Sequence, residues 1–263
     1  MSTNSGAPRR LPIRAIGVAA ARAVRSALGY ERPTELDIET LAYLRGVMVR
    51  AAPATGARAN LVRVGDRGII GVAAGLSPVE RRWAIAHELG HFEAHARVSF
   101  LGLCSGADMI SAYEASGREA EANAFAAELL MPEDLVAAKC DPARLSWEPL
   151  RALAEEHQVS LTAAALRFVG FTSERAAVVC VKDGVIAWAA STKDFGRCPA
   201  RGTRVDPWSE AHAFFAKGSA SAVPEMVSAS AWVEDAGDDE EVIEHVLTMP
   251  ALGVAMTLVW WRS

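Results

Sequence analysis

The sequence predicts an α+β protein: a mainly helical domain over residues 13–172 with a small β-hairpin, followed by a smaller α/β domain over 176–263. Three observations predict it. Hydrophobic residues make up 51% of the chain and charged residues 22%, the balance of a folded globular protein, and 263 residues suffice for two cores. From residue 13 to 169 the apolar positions recur at helical spacing, broken once by a short alternating stretch. From Ala176 onward the period changes to β-branched runs separated by turn pairs, which sets a domain boundary at 172–175.

Each element has a local reason. Residues 1–12 are rich in Ser, Gly, Pro and Arg and read as a flexible start, and a helix is expected over 13–28. A second helix is expected over 35–49. Residues 60–64 and 68–72 flank the Gly65-Asp66 turn and read as a hairpin. Ser77-Pro78-Val79-Glu80 combines an N-cap serine, a proline at the first helical position and a glutamate that closes a capping box, so a helix should run from there to residue 96. A loop over 100–111, with Gly102 and Gly106, leads to an Ala-rich helix over 112–130 that Pro132 stops. Helices continue to about residue 169. A second hairpin over 178–181 and 185–188 turns at Asp183-Gly184, further strands are expected over 228–233 and 254–261, and the acidic stretch 234–241 reads as a turn.

Charge and cysteine usage narrow the function. Residues 1–34 carry six Arg against Glu31 alone, so the basic start hides an acidic body in a chain of net charge −5. Phosphate binding needs clustered Lys and Arg, so a protein partner is expected rather than nucleic acid. Cys104, Cys140, Cys180 and Cys198 form no CxxC pair, which points to reduced thiols and away from a cysteine zinc site or a disulfide framework. The longest apolar run, 251–261, is too short to span a bilayer as a helix. Arg9-Arg10 before an Ala-rich segment imitates an export signal, but Arg14, Arg22 and Arg25 interrupt it, so the expected location is the cytoplasm with no membrane contact.

The chemistry concentrates in His87-Glu88-Leu89-Gly90-His91. Helical spacing of four sets both imidazoles on one face a turn apart, where they can grip one ion. Glu88 is rotated by about 100° from His87, away from ligation with both histidines but within reach of a metal-activated water, the place of a general base. A chance H-E-x-x-H is expected about 0.01 times at this composition, so two idle histidines on a helix are a poor explanation.

A catalytic zinc site takes a third protein ligand and keeps an open position. His95 continues the i+4 series but lies about 12 Å along an unbroken helix from His87, which suits a supporting or helix-end role. Glu119 and Glu121 sit on the following helix, and either carboxylate completes a two-histidine, one-carboxylate set. Such a set also accepts manganese or iron. Glu119, Asn123 and Ala126 share a stripe, so Asn123 is placed to orient a ligand carboxylate. Phe125, Leu129 and Leu130 read as core.

The order of capped HELGH helix, loop and Arg118-Glu119-Ala120-Glu121-Ala122-Asn123-Ala124-Phe125-Ala126-Ala127-Glu128-Leu129-Leu130-Met131-Pro132 closely resembles the ImmA/IrrE family of zinc metallopeptidases over residues 77–132. The resemblance implies a zincin-like fold with Glu119, six residues before Phe125, as third ligand and Glu121 as a solvated or supporting acid. It further implies a site-specific peptidase whose substrate is a helix-turn-helix repressor, cleaved to induce stress-response or mobile-element genes. Residues 1–60 lack a repressor signature, so that substrate is expected to be a separate protein. The segment 176–263 resembles the sensor-like C-terminal domain of some members.

Residues 153–166 resemble a helix-turn-helix core, but Gln158 replaces the turn glycine and Arg167 alone meets phosphate, so packing is expected there instead of DNA reading. Tyr113, beside Cys104 and Asp108 near the cleft, is left outside the catalytic set. Two other functions compete with the repressor protease: a non-catalytic regulator that binds a repressor or DNA, against which an intact Glu88 argues, and a broad cytoplasmic metallopeptidase.

Overall fold

The computed structural model describes residues 13–53, 56–95, 101–103, 117–142, 144–237 and 239–261. Among these residues it is a mixed α+β protein of eight helices and two sheets. Two compact units divide the chain: Met1–Pro132 with His157–Ser160, and Glu133–Glu156 with Leu161–Ser263.

The first unit is helical around a small sheet. Helix α1 (Ile13–Leu28) and helix α2 (Ile38–Leu44), the latter capped by the Asp37 carboxylate, precede strand β1 (Val47–Ala52). Strands β2 (Ala59–Val64) and β3 (Arg67–Ala73) form the expected hairpin, and β1 lies parallel to β3. The helix expected over 35–49 is therefore too long. It stops at Leu44 because Gly46, at φ +82°, turns the chain, and the Val-Met-Val run that follows gains a ladder with β3.

Helix α3 (Pro78–Ala94) opens with the capping box: the Ser77 hydroxyl accepts from Glu80 N at 3.3 Å, and Ser77 N donates to Glu80 Oε2 at 3.0 Å. It packs its Ile85, Leu89 and Phe92 side into the core beside β2 and β3. Its far end is tied by Arg45 to Glu93 at 2.8 Å and by Arg63, which donates to the Phe92 carbonyl at 2.5 Å and lies over the Phe92 ring. Within the expected 100–111 loop, a short strand β4 (Leu101–Leu103) pairs antiparallel with β2, completing the order β1-β3-β2-β4. The rest of that loop and residues 112–116 lie outside the described residues.

Helix α4 (Arg118–Leu130) packs between α1 and α3. Ala122, Phe125, Ala126, Leu129 and Leu130 are buried, and Arg22 on α1 donates to the buried Glu128 at 2.8 Å. The two helices α3 and α4 approach tightly at Gly90, where a Cβ would stand 2.9 Å from the Ala122 backbone. Only glycine allows that approach, and the approach brings the first turn of α4 over the histidine face of α3.

The second unit holds helices α5 (Glu133–Val136), α6 (Trp147–His157) and α7 (Leu161–Phe171) with a five-stranded antiparallel sheet. Its strands are β5 (Ala176–Lys182), β6 (Val185–Ser191), β7 (Glu225–Ser228), β8 (Glu241–Met249) and β9 (Val254–Trp261), in the order β6-β5-β9-β8-β7. Helix α8 (Glu210–Lys217) closes one face over a core built on Phe195, Phe214 and Trp232, and α7 packs against β5 and β6. Strand β8 begins at the end of the acidic stretch expected to be a turn, and 229–231 form a short helical turn where a strand was expected.

Candidate metal centre

Because α3 keeps its 3.6-residue period, His87 and His91 project from the same side toward α4, and their Nε2 atoms lie 3.1 Å apart. From the first turn of α4, Glu119 meets both. Its Oε2 is 3.3 Å from His87 Nε2 and its Oε1 3.2 Å from His91 Nε2. The three residues offer one ligand atom each, all within 4.8 Å of one another. A tetrahedral zinc with bonds of 2.0–2.1 Å has donor-to-donor edges of about 3.3 Å, so the closest pairs already stand at the spacing that a single ion demands.

The environment supplies the missing charge logic. Burial lowers the pKa of His87, but the Glu119 contact, the charges of Glu88 and Glu119 and the Asn123 contact together outweigh it and hold the imidazole above its ordinary value. The same contacts, with His87 first and His91 second, hold the Glu119 carboxyl far below the usual carboxylate range. An ionised carboxylate facing two imidazoles is the charge state a divalent cation selects. Glu88 is 1% exposed and interacts electrostatically with His87.

The groups behind the imidazoles are equally defined. Asn123 Oδ1 stands 2.7 Å from His87 Nδ1. On the other histidine, His91 Nδ1 faces His95 Nδ1 at 3.4 Å, and His95 Nε2 meets Glu121 Oε2 at 2.5 Å. Burial holds the His95 pKa below its ordinary value. Of the two carboxylates in the first turn of α4, Glu119 therefore converges on the histidine pair and Glu121 on His95. The continuous i+4 series His87, His91, His95, set against two glutamates two residues apart, is the sequence signal from which this second contact was readable. Cys104, Asp108 and Tyr113 lie outside the described residues. The other cysteines, Cys140, Cys180 and Cys198, are not in disulfides.

Residues 44–169, which contain this whole constellation, match the peptidase-family model described as the IrrE N-terminal-like domain. The chain carries an ImmA/IrrE-family domain. Members of this family are classed as metallopeptidases, and the His87, His91 and Glu119 group of this one can hold a metal ion. No curated protein matches the sequence. Among solved structures, a Mycobacterium tuberculosis transcriptional regulator shares the fold, with a TM-score of 0.57 and 18% identity over 94% of this chain and 76% of that one.

The helix-turn-helix-like segment spans the end of α6 and the start of α7. Gln158 takes the left-handed turn conformation at φ 51°, yet Ala163, Ala164, Ala165, Phe168 and Val169 of α7 are buried. Among the described residues, no helix is long and apolar enough to cross a membrane.

Proposed function

We propose that this ImmA/IrrE-family protein is a zinc-dependent endopeptidase that cleaves a helix-turn-helix transcriptional repressor in trans and thereby derepresses stress-response or mobile-element genes. The observation that carries the reading is the convergence of His87 Nε2, His91 Nε2 and the Glu119 carboxylate, whose two oxygens stand 3.3 and 3.2 Å from the two nitrogens and which offers one ligand atom within 4.8 Å of both, beside a buried Glu88. His87, His91 and Glu119 would hold the ion. Bound there, zinc supplies a Lewis acid for the scissile carbonyl and makes water acidic enough to lose a proton near neutral pH; manganese or iron would serve the same donor set.

The protein's own residues do the rest. Glu88 sits one residue past His87 on α3, so its carboxylate accepts the proton of the attacking water and passes it to the departing amine. Burial keeps bulk water from competing for that proton. Asn123 fixes the His87 ring: its Oδ1 accepts from Nδ1–H, which leaves the Nε2 lone pair for the ion. Three protein donors would leave a position of a four-coordinate ion for water and substrate, as hydrolysis requires and a purely structural site does not.

A protein substrate agrees with the acidic body of the chain, and a regulatory setting agrees with a fold neighbour described as a transcriptional regulator. Direct DNA binding is not part of the reading, since Arg167 is the one basic residue that α7 offers to phosphate. The test is cleavage of a purified helix-turn-helix repressor encoded beside this chain, with products mapped by mass. The wild type should cut at one bond and Glu88→Gln should not. Many scattered cuts in unfolded chains would instead mark a broad peptidase, and repressor binding without cleavage under zinc, manganese or iron would mark a regulator.

A further inference from the structure

We propose that Glu121 and His95 form a positioning relay that fixes the tautomer and orientation of His91, and that Glu121 serves through this relay and not as a metal ligand. The inference rests on the metal-site reading above and adds to it a role for two residues outside the donor set.

Three contacts in series fix where the protons sit. Glu121 Oε2 lies 2.5 Å from His95 Nε2, and an ionised carboxylate only accepts, so His95 carries its proton on Nε2. A neutral His95 then presents a lone pair on Nδ1. That atom faces His91 Nδ1 at 3.4 Å, so His91 donates its Nδ1–H there and keeps the Nε2 lone pair free. His91 Nε2 is the atom that stands 3.1 Å from His87 Nε2 and 3.2 Å from Glu119 Oε1. One acid on α4 therefore determines which nitrogen of a histidine on α3 faces the ion.

The two donor histidines are held by different means. His87 is held directly by an amide oxygen, and His91 through an imidazole and a carboxylate. The relay side chains are well shielded, with Glu121 12% and His95 11% exposed, so water does not readily replace either partner. His95 is also the C-cap of α3, where its backbone N–H donates to the His91 carbonyl, which ties the position of the relay to the end of the helix that bears both ligands.

The experiment pairs zinc affinity, measured by chelator competition, with nitrogen-15 spectra of the histidine rings in metal-free and zinc-loaded protein. Wild type should bind one zinc, with His91 protonated on Nδ1 and coordinated through Nε2, and His95 protonated on Nε2. His95→Phe and Glu121→Ala should each weaken zinc binding by roughly 10–100-fold, the usual cost of losing such a support. The double variant should lose no more than the worse single one, because both act through one chain of contacts. His95→Gln keeps both a donor and an acceptor and should recover most of the affinity; it also separates the relay from a folding defect, as do thermal melts of each metal-free variant. A wild type that binds one zinc while His95→Phe binds it equally well, or a His91 coordinated through Nδ1, overturns the relay alone. A wild type that binds no zinc overturns the metal-site reading and the relay together.

Discussion

At the scale of single residues, the site separates holding an ion from using it. Glu119 stands against both histidine Nε2 atoms, whereas Glu88 is buried one position along α3. Glu119→Ala should therefore abolish zinc binding, read by metal content after dialysis, and with it hydrolysis. Glu88→Gln, nearly equal in size, should keep its zinc and lose hydrolysis by several orders of magnitude, since the base is gone while the site stands. The histidines and Glu88 are legible in the sequence because their relation is local: four residues of helix set the geometry. Glu119 is not legible in that way. Its distance from His87 depends on how α4 returns across a segment of more than twenty residues, and spacing alone left it level with Glu121. Family resemblance favoured Glu119, and the packed helices bring it to the histidine pair.

At the scale of elements, the approach of α3 and α4 makes the site. Gly90→Ala places a methyl carbon 2.9 Å from the Ala122 backbone, which cannot yield as a flexible side chain does. We expect a loss of about 1–3 kcal/mol in the stability of the first unit, despite the better helix propensity of alanine, together with weaker zinc binding as α4 is pushed outward. Ser77→Ala removes the capping-box hydroxyl and should cost about 1 kcal/mol in chemical denaturation. The two variants differ in kind: the cap variant should keep zinc affinity, the packing variant should not. The cap was readable because its residues are sequence neighbours. Strand β1 was not, because Val47–Ala52 becomes a strand only through β3, and the same residues continue a helical pattern until Gly46 is seen in its left-handed conformation.

At the scale of the whole molecule, two divisions of the chain coexist. Sequence pattern changes from helix to strand at 172–175, and the match to the ImmA/IrrE family ends at 169, while packing assigns 133–156 and 161–171 to the unit that contains the second sheet. Period reports local structure, but a helix joins whichever core buries its apolar side, a long-range choice that the pattern does not carry. The second unit also holds a titrating group. Glu244 accepts from the Glu210 and Ala211 backbone at the start of α8 and from Trp232 Nε1, yet burial dominates and pushes its carboxyl up to about 7. The folded unit thus binds this proton more tightly than the unfolded chain does. Its contribution to stability is complete below a carboxylate's ordinary value near 4.5 and disappears as pH rises through 7, a difference on the order of 3 kcal/mol. Glu244→Gln, which cannot titrate, should flatten that part of the unfolding profile between pH 5 and 8.

The measurement that tests the central claim most directly is the zinc stoichiometry of the purified chain, counted by elemental analysis for wild type, Glu88→Gln and the His87→Ala, His91→Ala double variant. One zinc per chain is expected in the first two and none in the third. Zinc retained after both histidines are removed, or a folded wild type that takes up none, would contradict it.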